Sequence, residues 1–227
     1  MFGTVPKTLW CRHAQPDELN RIPLCLGSLL IRTPRGKTVL VDAGLSSKYD
    51  HNAKFLKIFC IDRAVTLRDE LKNHGLQAKD IDMVINTHLH FDHAGGDTEI
   101  SDDGRLVPTF PHARYLVQKL EWEDAHHPHE RNQASYMEEN FAPLEAAKVL
   151  DLVDGDFEIE PGLTVKRTGG HTRGHQCVMI ESEGQTAVFM GDLIPTRAHA
   201  PLPYIMGYDL FPLDTLEAKR VFLKEAA

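Results

Sequence analysis

Ile81-Asp-Met-Val-Ile-Asn-Thr-His-Leu-His-Phe-Asp-His-Ala-Gly-Gly96 is the stretch whose reading decides the fold. Ile81–Asn86 is an apolar run of the kind that forms a buried strand. Directly after it come His88, His90, Asp92 and His93. A strand that ends in three imidazoles and a carboxylate presents several nitrogen and oxygen donors to one point. That is the ligand chemistry of zinc and similar divalent cations. Gly95 and Gly96 follow, where the lack of a side chain is expected to let backbone approach a bound ion or ligand.

Two later strands end in the same kind of residue. The strand Thr164–Arg167 runs into Thr168-Gly-Gly-His-Thr-Arg-Gly-His175, which sets His171 in a glycine-flanked turn. Val188-Phe-Met-Gly-Asp192 delivers Asp192 in the same way, and Val41-Asp-Ala-Gly44 ends an earlier strand in a loop. Sites in α/β proteins gather just past the C-terminal ends of strands. No Gly-x-Ser-x-Gly motif supplies a nucleophile.

Around these motifs the periodicity predicts a mixed α/β chain. Leu24–Ile31 and Thr38–Val41 read as a hairpin about the turn Thr33-Pro-Arg-Gly36. Thr66 to Gly75 reads as a capped helix with Leu67 and Leu71 on one face. Thr98–Pro111 is polar and turn-rich, Tyr115–Gln118 a short strand, and 119–147 mostly helical with Pro128 and Pro143 as interruptions. From residue 149 onward the pattern is β, with strands at Val149–Val153, Phe157–Ile159, Thr164–Arg167, Cys177–Glu181 and Ala187–Met190. Glu181–Gln185 turns between the last two. Asp214-Thr-Leu-Glu217 reads as a capping box opening a helix to the chain end. The whole is expected to be one domain, 1–227, of two β-rich portions with helices outside them.

Composition narrows the function. The 227 residues carry 25 Lys and Arg against 33 Asp and Glu, a net charge of −8 that argues against a nucleic-acid partner held by phosphate contacts. A small-molecule substrate fits better, because a metal can supply local positive charge. Thirteen histidines are many for this length. Cys11, Cys25, Cys60 and Cys177 are scattered and expected to be reduced, mostly packing residues. The first residues show no signal pattern and no run is long enough to span a membrane, so the expectation is a cytoplasmic protein without a membrane partner.

The stretch Thr87–Gly96, together with His171 and Asp192, resembles the metallo-β-lactamase-fold hydrolases from about Ile22 to the end of the chain. It is most similar to the branch of acyl-homoserine lactonases and methyl-parathion-hydrolase-like enzymes. The resemblance implies a four-layer αββα sandwich. It implies two divalent ions, zinc first with iron, manganese or cobalt as alternatives: one held by His88, His90 and His171, the other by Asp92 and His93, with Asp192 bridging. Asp42 takes a supporting role, and Asp92 and Asp192 are the expected catalytic carboxylates. The implied reaction is attack of a metal-bound hydroxide on an ester or lactone. Rival reactions are phosphotriester hydrolysis, thioester hydrolysis of the glyoxalase II type and sulfur dioxygenation, and a non-catalytic member of the fold is the different-class alternative. Phe91, His199, Tyr204 and Tyr208 are expected to line the pocket or support the site, and a homodimer is one arrangement open to the chain.

The family's last metal-binding histidine has no counterpart. After Asp192 the only histidine is His199, seven positions on, whereas the family's ligand follows a further helix and strand. Two expectations compete: an ordinary two-metal enzyme whose sequence is missing terminal elements at both ends, or a variant with a depleted second metal position, filled by His199 or by water. Gly169-Gly170 also stands where the family often has Pro-Gly.

Overall fold

The computed structural model describes residues 1–225. Its contacts divide the chain into two compact units, Leu26–Val117 with Trp122–Val153, and Met1–Cys25 with Gln118–Glu121 and Asp154 onward. The α/β class read from the sequence is borne out. No helix among the described residues is long and apolar enough to cross a membrane.

In the first unit the strands are β1 (Leu29–Arg32), β2 (Thr38–Val41), β3 (Gly44–Leu45), β4 (Met83–Ile85), β5 (Thr98–Ile100), β6 (Leu106–Pro108), β7 (Arg114–Gln118) and β8 (Leu150–Val153). Five of them form one sheet in the order β1-β2-β4-β7-β8. The expected hairpin is present, with β1 antiparallel to β2. Its first strand begins at Leu29 rather than Leu24, and the preceding leucines Leu24 and Leu26 are exposed. β2, β4 and β7 run parallel. Parallel strands are covered on both faces, which is why Val39–Val41, Val84, Ile85 and Tyr115–Val117 are all buried.

The helix Leu67–Asn73 packs on this core through Leu71, against Leu40, Val84, Tyr115 and Leu144. Its start is a reciprocal cap: Asp69 N donates to Thr66 Oγ1 at 3.3 Å, and Thr66 N donates to the Asp69 carboxylate at 2.9 Å. Gly75, at φ +72°, turns the chain out of it. Thr66→Ala is expected to cost about 1 kcal/mol, read in a thermal melt as a fall of roughly 2–4 °C.

Two expectations for this unit are corrected. Thr98–Pro111 contains the β5–β6 hairpin, whose pairs Glu99↔Val107 and Ile100↔Leu106 leave apolar residues exposed and so give no buried-strand pattern. The 119–147 region is helical only at Lys119–His126 and Ala142–Ala146, with a short 3₁₀ turn at Glu138–Asn140. Pro143 sits in the first turn of its helix and starts it, where a missing N–H costs nothing.

The second unit is built on an antiparallel meander of β9 (Phe157–Glu160), β10 (Leu163–Arg167), β11 (Gln176–Ser182) and β12 (Gln185–Phe189). Glu183 and Gly184 close the β11–β12 turn with φ of +50° and +74°, as a two-residue type I′ loop requires. Cys177 packs with Leu193 and Phe222 beneath this sheet, whereas Cys25 and Cys60 are exposed, so packing accounts for Cys177 alone among those three.

The last helix begins at Pro212, two residues ahead of the expected cap, so Asp214 lies inside its first turn. Its N–H donates to Phe211 O and no capping box forms there. Ala226 and Ala227, where that helix was expected to end, lie outside the described residues. Gly170, at φ +83°, admits the helix start: a Cβ there would lie 2.4 Å from Thr215 Oγ1. Lys219, one turn on from Thr215 and also buried, donates to the carbonyls of His199, Pro201 and Tyr204 at 2.6, 2.9 and 3.0 Å.

Candidate metal centre

In the first unit, β4 ends at Ile85 and the chain turns through His88 and His90 into the one-turn helix Phe91–Ala94. That turn folds His93 back beside His88, their ring centroids 4.1 Å apart, while His90 lies 4.5 Å from His88 on another side. A ligand atom of His88 stands within 4.8 Å of one from His90 and of one from His93. Asp92 is 42% exposed, its Oδ2 3.8 Å from His93 Nε2. Phe91, next to them in sequence, joins an aromatic cluster with Phe55 and Phe59.

Asp42 organises this group from below. It is buried, at φ +53°, a left-handed conformation that Asp tolerates better than most residues. Its Oδ1 accepts from Thr87 N at 2.7 Å, and its Oδ2 from Thr87 Oγ1 at 2.8 Å and His93 Nδ1 at 2.8 Å. A carboxylate only accepts, so the Thr87 hydroxyl spends its proton on Asp42. Towards His88 Nδ1, 3.0 Å away, that hydroxyl is therefore an acceptor. Both His88 and His93 are thereby assigned the tautomer with the proton on Nδ1 and the lone pair on Nε2.

Gly95 and Gly96 are closely crowded by the fold itself. A Cβ on Gly96 would lie 2.1 Å from Ala43 O, and one on Gly95 would lie 2.2 Å from Phe91 O. The bare backbone thus serves close contact with neighbouring protein carbonyls, and isolated bridges join Gly44 to Ala94 and Leu45 to Gly95.

Lys48, which sequence reading missed, braces the same loop. Its buried ammonium donates to Gly95 O at 2.6 Å, Thr98 O at 3.1 Å and Thr98 Oγ1 at 2.7 Å. Burial brings its pKa down from 10.5 to about 8 despite the neighbouring Asp97 charge, and burial also pushes the Asp97 carboxyl well up. Between about 8 and 10.5 the unfolded chain therefore holds more protons at Lys48 than the folded one, and stability rises with pH across that window. Below it both states are protonated and the burial penalty stands in full. Lys48→Met is expected to remove this part of the pH slope, measured by urea unfolding at about pH 7.5 and 9.5.

In the second unit, His171 lies in the loop after β10 and is almost wholly buried. Its Nδ1 is 3.0 Å from Asp209 Oδ1 and its Nε2 3.2 Å from Asp192 Oδ2. Asp209 orients the ring by accepting from Nδ1–H, which turns Nε2 toward Asp192. Thr172 Oγ1 donates to the buried Glu121 carboxylate at 2.5 Å, pinning the residue next to His171. Neither Asp209 nor Glu121 was read from the sequence; they lie 38 and 50 positions from His171 with no spacing motif to mark them.

The remaining candidates in this unit form an aromatic group. His199 stacks on Phe2 at 4.5 Å and bonds through Nδ1 to Thr196 Oγ1 at 2.8 Å. Tyr204 meets Phe2 and His13 edge-on, and Tyr208 is 60% exposed. The structure thus packs the His199 ring on Phe2.

These donors fit divalent cations. Three histidines are turned by a hydroxyl or carboxylate on Nδ1 so that Nε2 is the ligand atom, the arrangement by which metal-binding imidazoles are held. Carboxylates stand near two of those nitrogens, supplying the charge that a dication needs.

Relatives agree with this chemistry. An N-acyl homoserine lactonase from Bacillus sp is 30% identical over 183 residues, which cover 80% of this chain and 62% of that protein. The chain thus spans less than two thirds of the length of that relative. A solved structure of a probable metal-dependent hydrolase from Staphylococcus aureus superposes with a TM-score of 0.87 at 35% identity, over 97% of this chain and 76% of the other. An N-acyl homoserine lactone hydrolase, solved with N-hexanoyl-L-homoserine at its catalytic metal centre, gives 0.67 at 27% identity, over 88% and 75%. Residues 28–227 match the Metallo-beta-lactamase superfamily, and the chain belongs to it.

Proposed function

We propose that this protein is a metal-dependent hydrolase of ester or lactone bonds in small molecules. His88, His90 and His171 hold one divalent ion, Asp92 and His93 a second, and Asp192 is shared. The observation that carries the reading is the common orientation of His88, His93 and His171, each with Nδ1 engaged by Thr87, Asp42 or Asp209 and Nε2 left as the donor. The lactonase relatives support the choice of bond.

When bound, such ions supply Lewis acidity, polarising a carbonyl oxygen and acidifying water. The chain's own residues do the rest. Asp92, the most exposed of these carboxylates, takes the proton that water releases as its oxygen bonds to the carbonyl carbon. The same carboxyl returns that proton to the alkoxide as the carbon–oxygen bond breaks. Phe91 with Phe55 and the half-exposed Phe59 offers an apolar wall to an acyl or aryl group. Zinc is the expected metal.

Elemental analysis of the purified chain, followed by assay on lactones, aryl esters, thioesters and phosphotriesters, tests the reading. Bound metal with lactone or ester turnover is the expected result. A chain that takes up no divalent metal, or one that is loaded and turns over none of the panel, overturns it. Preference for thioesters or phosphotriesters overturns the assignment of the bond.

A further inference from the structure

His175 ends the loop that carries His171, and it is fully buried. Its ring makes two bonds of defined polarity. The backbone N–H of Asp192 donates to Nε2 at 3.0 Å. An amide N–H can only donate, so Nε2 carries the lone pair and Nδ1 the proton. Nδ1 then donates to Thr168 Oγ1 at 2.6 Å. Thr168 is tied back in turn, its N–H and that of Gly169 donating to His175 O at 2.9 and 3.2 Å. One end of the imidazole is thus fixed in the loop Thr168–His175, and the other holds the peptide of Asp192.

Asp192 needs such a hold. It sits on a single 3₁₀ turn, Gly191–Leu193, just after β12, and Gly191 before it is at φ +49°. A one-turn element has little hydrogen bonding of its own with which to fix a side chain. Yet its Oδ2 stands 3.2 Å from His171 Nε2.

From this we infer that His175 is a positioning residue that sets the Asp192 carboxylate against His171, so that the two donors meet one cation. The inference rests on the metal reading above. His175 touches neither cation nor substrate in this scheme; it acts through the Asp192 main chain.

Cobalt(II) titration of the purified chain, in competition with a chromophoric chelator, tests this without any assay of turnover. His175→Leu fills the space but accepts no hydrogen bond, and it is expected to weaken cobalt binding about 10- to 100-fold, the range for residues that orient ligands. His175→Gln places an acceptor oxygen near the Nε2 position and is expected to recover most of that loss and the wild-type cobalt absorption spectrum. A role in stability alone would lower the melting temperature of both metal-free variants without this split. Wild-type affinity in His175→Leu, or no recovery in His175→Gln, overturns the inference. If His175→Leu does not fold, Thr168→Val removes the partner of the same ring, and unchanged cobalt affinity there overturns it equally. A wild-type chain that binds no cobalt overturns the metal reading itself, a result distinct from wild-type binding matched by the leucine variant.

Discussion

Asp192→Ala is expected to lower kcat/KM for an ester or lactone by on the order of 10³. In the proposed scheme this carboxylate is shared by both ions, so its loss weakens both positions, whereas loss of any one histidine weakens one. Stabilisation of the developing charge by bound cations contributes several kcal/mol, and each 1.36 kcal/mol is a tenfold change in rate. The side chain is partly accessible, so metal-free stability is expected to stay within about 1 kcal/mol of wild type. Metal content and kinetics measured on the same preparation decide the matter. Rates within tenfold of wild type, at unchanged metal content, remove Asp192 from the site. Asp92→Asn is expected to fall less steeply, by roughly 10²-fold, because it removes a proton carrier and a ligand of one position only.

What could be read in advance was what is written locally. Ile81–Asn86 followed by His88–His93 announces a strand with donors at its end, because chain geometry alone brings those side chains together. Thr66 with Asp69, and Glu183 with Gly184, are local in the same sense, since cap and turn chemistry lies within a few residues. The residues that hold the donors in place are not local. Asp209 and Glu121 reach the His171 loop from distant parts of the chain, and Lys48 reaches Gly95 across 47 positions. A lone aspartate, glutamate or lysine carries no periodicity to mark it as buried. Gly95 and Gly96 were noticed for close backbone approach, but the crowding of Gly96 by Ala43 is a long-range contact that no local pattern marks. Hairpin β5–β6 stayed hidden because its apolar residues face solvent, where alternation signals nothing.

Asp42 separates stability from metal affinity, and its two variants are expected to part accordingly. Asp42→Ala removes the acceptor for Thr87 N, Thr87 Oγ1 and His93 Nδ1 together. Buried donors left unsatisfied cost about 1–3 kcal/mol each, and the Thr87 hydroxyl can turn elsewhere, so a loss of roughly 3 kcal/mol is expected in urea unfolding. Alanine also tolerates the left-handed backbone at this position less well than aspartate. Asp42→Asn keeps the backbone conformation and one acceptor oxygen, which can serve Thr87 N. It is expected to retain most of the stability. Its amide nitrogen, however, faces Thr87 Oγ1 and His93 Nδ1 as a donor where both need an acceptor. His93 must then rotate or move its proton to Nε2, and the Thr87 hydroxyl no longer has its proton fixed on Asp42. Zinc affinity is therefore expected to drop about 10- to 100-fold in the asparagine variant while its unfolding midpoint stays near that of wild type. Equal losses of stability in the two variants, with zinc affinity intact in Asp42→Asn, would show that Asp42 braces the fold alone. A selective loss of zinc in Asp42→Asn means that the carboxylate sets the ligand tautomers as well, since charge, hydrogen-bond polarity and little else change between the two side chains.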